Sequence, residues 1–268
     1  MGVLDDYDRG ELFSTTQLSI KLSKMISVCM ASYNGAKYIK KQLDSILRQL
    51  GGEDELIISD DGSTDGTLEI IERFHDSRIK VFHHQHPTCM VRYYRSNIYV
   101  TSNFENALKY CSGDYIFLSD QDDIWADNKV QIMVNYAKNH PDKDLFLSSI
   151  CVIRQDDSVK KSKVIPADFP FLKGLVVAKY LGSSMMLTRR FLNRVLPFPQ
   201  GIVSHDAWIG AMATYQNRMA IIDEPLLLYR RHADNVTSKE IRTPLFIKMR
   251  YRFVILFNVL KRRLKDVV

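Results

Sequence analysis

Cysteine is scarce in this chain and never closely paired. Four cysteines in 268 residues, Cys29, Cys89, Cys111 and Cys151, form no CxxC motif. That sets aside a disulfide-stapled scaffold and reads as reduced thiols in a cytosolic setting. No run approaches the roughly 18 uninterrupted apolar residues that span a bilayer, and the longest one near the C-terminus is Phe253 to Phe257. The opening MGVLDDYDRGEL has acids where an export signal needs bases and then an apolar stretch, so the protein is read as not exported. No G-x-G-x-x-G follows the first apolar strand, and no G-x-x-x-x-G-K-[ST] occurs anywhere. A Rossmann dinucleotide enzyme and a P-loop phosphotransferase are both disfavoured. Internal repeats, low-complexity segments and a dividing linker are also missing. With 46% apolar and 25% charged residues, one compact domain is expected rather than a disordered chain.

The positive charge is confined to one end. The net charge is +6, yet the last 28 residues carry eight Lys/Arg and one acid, which makes that tail +7 and the rest −1. A neutral body disfavours a nucleic-acid binder, which spreads its bases over the docking face. Within the tail, Leu245, Met249, Phe253, Leu256, Phe257 and Leu260 recur at near-helical spacing among Lys248, Arg250, Arg252, Lys261, Arg262, Arg263 and Lys265. A basic amphipathic helix of this kind suits an anionic membrane surface. The other reading docks its apolar stripe on the core and leaves the bases in water.

The body alternates strand and helix. Ile26 to Met30 reads as a buried strand, ending in the turn-and-cap cluster Ser32, Tyr33, Asn34 and Gly35, with Asn34 placed to cap a helix. Ile39, Leu43, Ile46, Leu47 and Leu50 then mark one helical face. A second strand, Leu56 to Ser59, runs into Asp60, Asp61, Gly62 and Ser63, and a helix follows with Leu68, Ile71 and Phe74. Ile79 to Phe82 is a third strand. Ser102 and Glu105 have capping-box spacing for the next helix, and Tyr115 to Leu118 is a fourth strand leading into Asp120, Gln121, Asp122 and Asp123. Further on, Leu145 to Ile153, Met185 to Leu187, Met219 to Ile222 and Leu226 to Tyr229 are strand-like. Helices are read at Val130–Ala137 and Ala207–Tyr215. The pattern predicts an α/β fold, a mostly parallel central sheet with helices on both faces. Ligands bind beyond the carboxyl ends of such strands, so three polar clusters are expected on one edge: Ser32–Asn34, Asp60–Asp61 and Asp120–Asp123.

Each cluster has a bland reading and a chemical one. Three carboxylates at Asp120, Asp122 and Asp123 repel one another, which suits a hard cation such as Mg²⁺ or Mn²⁺ bridging to phosphates; a solvated capped loop is the alternative. Asp60 and Asp61 exceed what an Asx turn requires and could accept from a base N–H or from ribose hydroxyls. In Ser204-His205-Asp206-Ala207-Trp208 a general base could lie beside a sugar-stacking ring, or an N-cap beside a core tryptophan. His83, His84, His86 and Cys89 match no standard zinc spacing.

Three ordered motifs, ISVCMASYNGAKYIKKQLDSIL, ELIISDDGSTDGTLEII and NFENALKYCSGDYIFLSDQDDIWADNKV, resemble the inverting glycosyltransferases of family 2, which have the GT-A fold. The likeness runs from about Met25 to Thr237. With HDAW and YRRHADNVT, the motif FLSDQDDIW is similar to bacterial rhamnosyltransferases of surface-polysaccharide synthesis. The resemblance implies a GT-A domain over 25–240. Its nucleotide-sugar half would be 25–124 and its acceptor half 125–240, between an extension at 1–24 and the helix at 241–268. It implies that Ala31, Ser32, Tyr33 and Asn34 hold the nucleotide, that Asp61 with Asp60 bonds the uracil or thymine edge, and that Asp120 meets the ribose or metal. Asp122 would bind Mn²⁺ or Mg²⁺, with His232 near the metal or diphosphate, and Asp206 would be the catalytic base. Trp125, His205 and Trp208 would line the sugar side. The donor implied is dTDP-rhamnose or a UDP-hexose. The acceptor is a glycan or undecaprenyl-linked hydroxyl at the inner membrane face. Two stretches depart from the family pattern, Asn97-Ile98-Tyr99-Val100 and the long HHQHPTCMVRYYR segment. A nucleotidyltransferase would want a Gly-rich basic loop where ASYNGAKY stands. A non-catalytic member of a polysaccharide assembly complex is the third reading.

Overall fold

In a computed structural model of the chain, the residues described are 24–88, 93–164, 166, 170–177, 180–233, 235 and 243–266. The extension expected at 1–24 lies outside them, except for Lys24. The first half builds a parallel sheet. β1 (Ile26–Ser32) lies between β2 (Glu55–Asp60) and β4 (Tyr115–Asp120), and β2 pairs with β3 (Ile79–His83). Helices α1 (Ile39–Leu47), α2 (Thr67–Glu72) and α3 (Arg95–Tyr110) make the crossovers. The register sets Ser32 opposite Asp60 and Ala31 opposite Asp120, so the strand ends form one polar edge, as the alternation predicts.

The second half extends the sheet from the other side of β4. Hairpin-like β5 (Ile124–Trp125) precedes α4 (Lys129–Asn139), β6 (Leu145–Ile153), β7 (Val159–Val164), α5 (Phe171–Val177), β8 (Met185–Thr188), α6 (Arg189–Val195), α7 (His205–Tyr215), β9 (Met219–Arg230) and α8 (Leu245–Asp266). Antiparallel β8 joins β4 to β6, β6 runs parallel to β9, and β5 closes against β9. The β5–β9 pairing carries the end of β9 back to the acidic turn after β4.

Side-chain alternation divides the core into two layers, as a sheet buried on both faces requires. Val28, Met30, Leu56, Ile58 and Phe117 face α1, α2 and α4, whereas Cys29, Ile57, Ile116 and Leu118 face α3, α6, α7 and α8. The sequence expectation differs from the structure in three places. α1 starts at Ile39, and the Asn34 side chain accepts from Thr64 N at 2.9 Å instead of capping it. Ser102 lies mid-helix because α3 begins at Arg95, and its Oγ meets the His84 ring. The two strands read at 219–229 are one, β9, whose register against β6 slips where Pro225 faces Ser149; proline has no N–H to give the ladder.

At the edge opposite the polar clusters, a buried glutamate ties the parallel strands together. Glu55 accepts from Ser27 Oγ at 2.6 Å, Ser112 N at 2.6 Å, Ser112 Oγ at 2.8 Å and Lys80 Nζ at 2.8 Å. Gly113 closes on the same point, where an added Cβ would lie 2.6 Å from Ser27 N. Burial alone would raise the Glu55 pKa, but the bonds from Lys80, Ser27 and Ser112 outweigh it and lower it from 4.5 to about 2. A depressed carboxyl stabilises the fold above its unfolded pKa, and that stability is lost as pH falls through the folded value. The shift corresponds to about 3 kcal/mol. Glu55→Gln is expected to lose about that much at pH 7. Its urea midpoints should converge with the wild type between pH 4.5 and 2; an undiminished gap at low pH would contradict the clamp.

Candidate active site

The polar edge holds three groups of side chains. The first is the loop after β1. Gln121 grips it from the acidic turn, accepting from Tyr33 N at 2.9 Å and donating to Tyr33 O at 2.8 Å. Gly35 permits that grip, because a Cβ there would lie 2.2 Å from Gln121 Oε1. Asn34 takes a left-handed φ of 48°, and its N donates to Ser63 Oγ at 2.8 Å. The Tyr33 ring is left 55% exposed, open to stack on a planar base. Ser32 Oγ donates to Asp60 Oδ1 at 2.7 Å, while Ser63 Oγ, Ser63 N and Gly62 N take up the rest of that buried carboxylate. Asp60 therefore shapes the loop and has no face left for a base edge, a correction to its expected shared role.

Asp61 is placed differently. Its Oδ1 lies 2.9 Å from His84 Nδ1 and 3.1 Å from His86 Nδ1, and His84 Nε2 reaches Ser102 Oγ at 2.9 Å. The histidine segment thus orients a carboxylate. Cys89, the fourth member of the unmatched zinc set, lies outside the described residues.

The second group is the acidic turn. Asp120, Asp122 and Asp123 present oxygens within 4.8 Å of one another, the one such group of possible metal ligands among the described residues. β9 returns alongside and supplies their partners. Arg230 N donates to Asp123 Oδ1 at 2.9 Å and Arg230 Nε to Asp122 O at 2.8 Å. His232 Nε2 donates to Asp122 Oδ2 at 2.8 Å, and Asn235 Nδ2 lies 3.3 Å from the same oxygen. From below, fully buried Lys129 donates to Ser183 O at 2.9 Å with its ammonium 4.5 Å from the Trp125 ring centre. Withdrawal from water and then the Asp122 charge push Asp120 up to about 7, with Asp206 adding to the rise and Lys129 opposing it. Burial likewise raises Asp123, and it lowers Lys129 to about 7 against the pull of Asp123 and Asp120. Asp123 Oδ2 is buried with no hydrogen-bond partner among the described residues. An oxygen-only cluster with an orphaned carboxylate atom fits a hard divalent cation.

The third group is the start of α7. Ser204 caps the helix, its Oγ accepting from Ala207 N at 3.4 Å and bonding Asp206 Oδ1, which also accepts from Ala207 N at 2.7 Å. Asp206 is half-buried in the first turn, where the helix dipole favours its charge. The bonds of the cap all go to Oδ1, and the Asp206 charge is felt at Asp120 across the cleft.

The aromatic residues expected on the sugar side are elsewhere. Trp125 is buried between Phe117 and Lys129. Trp208 is buried with Nε1 donating to Val195 O at 3.1 Å. His205 turns inward to stack on Phe104 at 4.1 Å, and burial lowers its pKa. All three are core side chains, because β5 and the first turn of α7 point those positions inward. Sequence reading missed Lys129, Arg230, Gln121 and Asn235. Lys129 had a signal: it lies four residues before Met133, on the apolar face of α4.

The model of Glycosyl transferase family 2 matches residues 27–197. The dTDP-rhamnosyl transferase RfbG of Shigella flexneri is 30% identical over 225 residues, 79% of this chain and 74% of that protein. The Escherichia coli protein WfgD, a UDP-Glc:alpha-D-GlcNAc-diphosphoundecaprenol beta-1,3-glucosyltransferase, is 34% identical over 111 residues, 41% of this chain and 40% of WfgD. An uncharacterised Mycobacterium tuberculosis (strain ATCC 25618 / H37Rv) protein is 28% identical over 217 residues, 79% of this chain, which spans 60% of that relative's length. Among solved structures, S. aureus TarS 1-349 in complex with UDP-GlcNAc superposes with a TM-score of 0.65 at 20% identity, covering 88% of this chain and 67% of TarS.

The compensation of the acidic turn is testable without substrate. Lys129→Met removes the buried cation beneath Asp120 and Asp123, and is expected to cost about 3 kcal/mol in metal-free protein near pH 7, where the lysine and the carboxylates are charged together. The cost should shrink toward pH 5 as Asp120 takes up a proton, and toward pH 9 as Lys129 gives one up. A pH-independent loss in urea unfolding would contradict the charge role.

Proposed function

The chain belongs to glycosyl transferase family 2, and from that premise we propose that it moves a sugar, with inversion, from a nucleotide diphosphate sugar to an acceptor hydroxyl in polysaccharide synthesis. The donor proposed is dTDP-rhamnose or a UDP-hexose, and the acceptor a glycan or undecaprenyl-linked sugar. The relatives' names support this range: RfbG is called a dTDP-rhamnosyl transferase, and WfgD is named for UDP-Glc and a diphosphoundecaprenol acceptor. The observation that carries the reading is the pairing of two features in one cleft. An oxygen cluster suited to a cation ends β4, and a half-buried carboxylate, Asp206, lies in the first turn of α7 within electrostatic reach of it.

The residues divide the work. Tyr33 offers an exposed ring to the base, and Asp61, oriented by His84 and His86, accepts from the base edge. Asp122 would hold Mn²⁺ or Mg²⁺, with Asp120 and Asp123 beside it and His232 and Asn235 fixing the Asp122 oxygen. Such a cation neutralises the charge that a leaving nucleoside diphosphate develops. Lys129 by its charge, and Arg230 by its main-chain N–H to Asp123 and its Nε to Asp122 O, hold the acidic turn in shape before anything binds. Asp206 takes the acceptor proton through the oxygen that the helix cap leaves open. The acceptor oxygen then attacks the anomeric carbon opposite the departing nucleotide, so the configuration inverts in one displacement.

Asp206→Asn keeps the shape of the cap and removes the base. Turnover is expected to fall by about 10²–10⁴-fold, while nucleotide affinity stays within about twofold. Near-wild-type transfer by this variant would take Asp206 out of the base role. A thermal-shift screen with Mn²⁺ separates the donors: preference for dTDP favours rhamnose, preference for UDP favours a hexose or N-acetylhexosamine, and no response to either contradicts the reading.

A further inference from the structure

α8 docks on the body with one face and leaves a second apolar face in water. Ile255 and Val259 are buried in the layer under α7. Arg262 donates to the carbonyls of Arg194, Leu196 and Pro197 and lies over the Trp208 ring at 5.3 Å, and Arg263 donates to Tyr215 Oη at 2.6 Å. The residues expected to form the apolar stripe are not the docked ones. Of eleven exposed large apolar side chains among the described residues, six lie on α8: Leu245, Phe246, Met249, Phe253, Phe257 and Leu260. More than half of these exposed apolar side chains thus share a single helix, and Phe253 is 66% exposed. At about 100° per residue they fall in one stripe about 120° wide.

The same helical arithmetic places bases along both margins of the stripe, Arg250 and Lys261 on one side and Arg252 on the other. α8 has no acid before Asp266. Among the described residues no helix is long and apolar enough to cross a membrane. We propose that this outward face of α8 seats on the surface of an anionic lipid bilayer, the aromatic stripe entering the headgroup boundary and the marginal bases meeting lipid phosphates. Charge complementarity selects that occupant. Two copies set stripe to stripe would bring four cationic margins together with no acid between them. The Arg262–Trp208 and Arg263–Tyr215 contacts tie the seated helix to α7, whose first turn bears Asp206. Only this last link, which sets the base near a lipid-linked acceptor, rests on the transferase reading.

Co-sedimentation of the full chain with phosphatidylcholine vesicles, with and without phosphatidylglycerol, tests the seat. The wild type is expected to sediment only when phosphatidylglycerol is present. Phe253→Ser with Phe257→Ser, and separately Arg250→Glu with Lys261→Glu, should each weaken partitioning at least about tenfold. Melting temperature and nucleotide response should stay unchanged in both. Equal sedimentation of all three proteins overturns the proposal. So does a soluble dimer that the phenylalanine variant dissolves while vesicles bind nothing. Vesicle binding without any nucleotide response upholds the seat and strikes the transferase reading instead.

Discussion

Three carboxylates at the end of one strand repel each other, and the rest of the site is arranged around holding them together. Asp120, Asp122 and Asp123 are fixed in place by β4 and the turn that follows it. They are supported from two directions. Lys129 brings a charge from the buried end of α4, and Arg230, whose guanidinium is paired with Asp157, gives its main-chain N–H to Asp123 from the last residue of β9. Neither is placed by its own neighbours in sequence. β9 is carried along β6 and meets the turn where β5 pairs with it at Ile124 and Trp125. Burial raises Asp120 and Asp123 and lowers Lys129, with Asp120 and Lys129 both brought to about 7. Perturbation of that kind, in a cleft with an orphaned carboxylate oxygen, marks a place built to receive charge.

The opposite edge of the sheet shows what an acid does when stability is the only requirement. Glu55 is surrounded by donors and has its pKa lowered. Asp144, at the start of β6, is likewise enclosed by Arg190, Arg218 and Thr188 Oγ1. These carboxylates are satisfied, whereas Asp123 Oδ2 in the acidic turn is buried with no partner among the described residues.

Much of the fold could be read from periodicity. The alternation in Ile26–Met30, Leu56–Ser59 and Tyr115–Leu118, broken by 3.6-residue helices, is enough to predict three parallel strands with their polar ends aligned. The motifs at Asp61, Asp120–Asp123 and Asp206 are legible for the same reason, since each sits at an element boundary that local pattern marks. What local pattern does not show is direction in the irregular half. Trp125, His205 and Trp208 lie beside the right motifs, yet one residue of rotation on a helix or strand turns a cleft position into a core one. Asp60 is a similar case: its neighbour Asp61 faces the histidines, while its own oxygens are taken by Ser32, Gly62 and Ser63. Arg230 acts through a contact 107 residues away and Lys129 is anchored by one 54 residues away, which no short window of sequence displays. The two faces of α8 were indistinguishable in sequence because both are apolar.

The central claim is that the acidic turn becomes a diphosphate site when a divalent cation enters it. Calorimetric titration of UDP and of dTDP into the full chain, with Mn²⁺ and then with the metal chelated, tests this most directly. The account predicts saturable heat with one of the two nucleotides in Mn²⁺ and its loss on chelation. It also predicts loss of the Mn²⁺-dependent part in Asp122→Ala. Identical binding with and without the cation, or unaltered Mn²⁺ dependence in that variant, would contradict it.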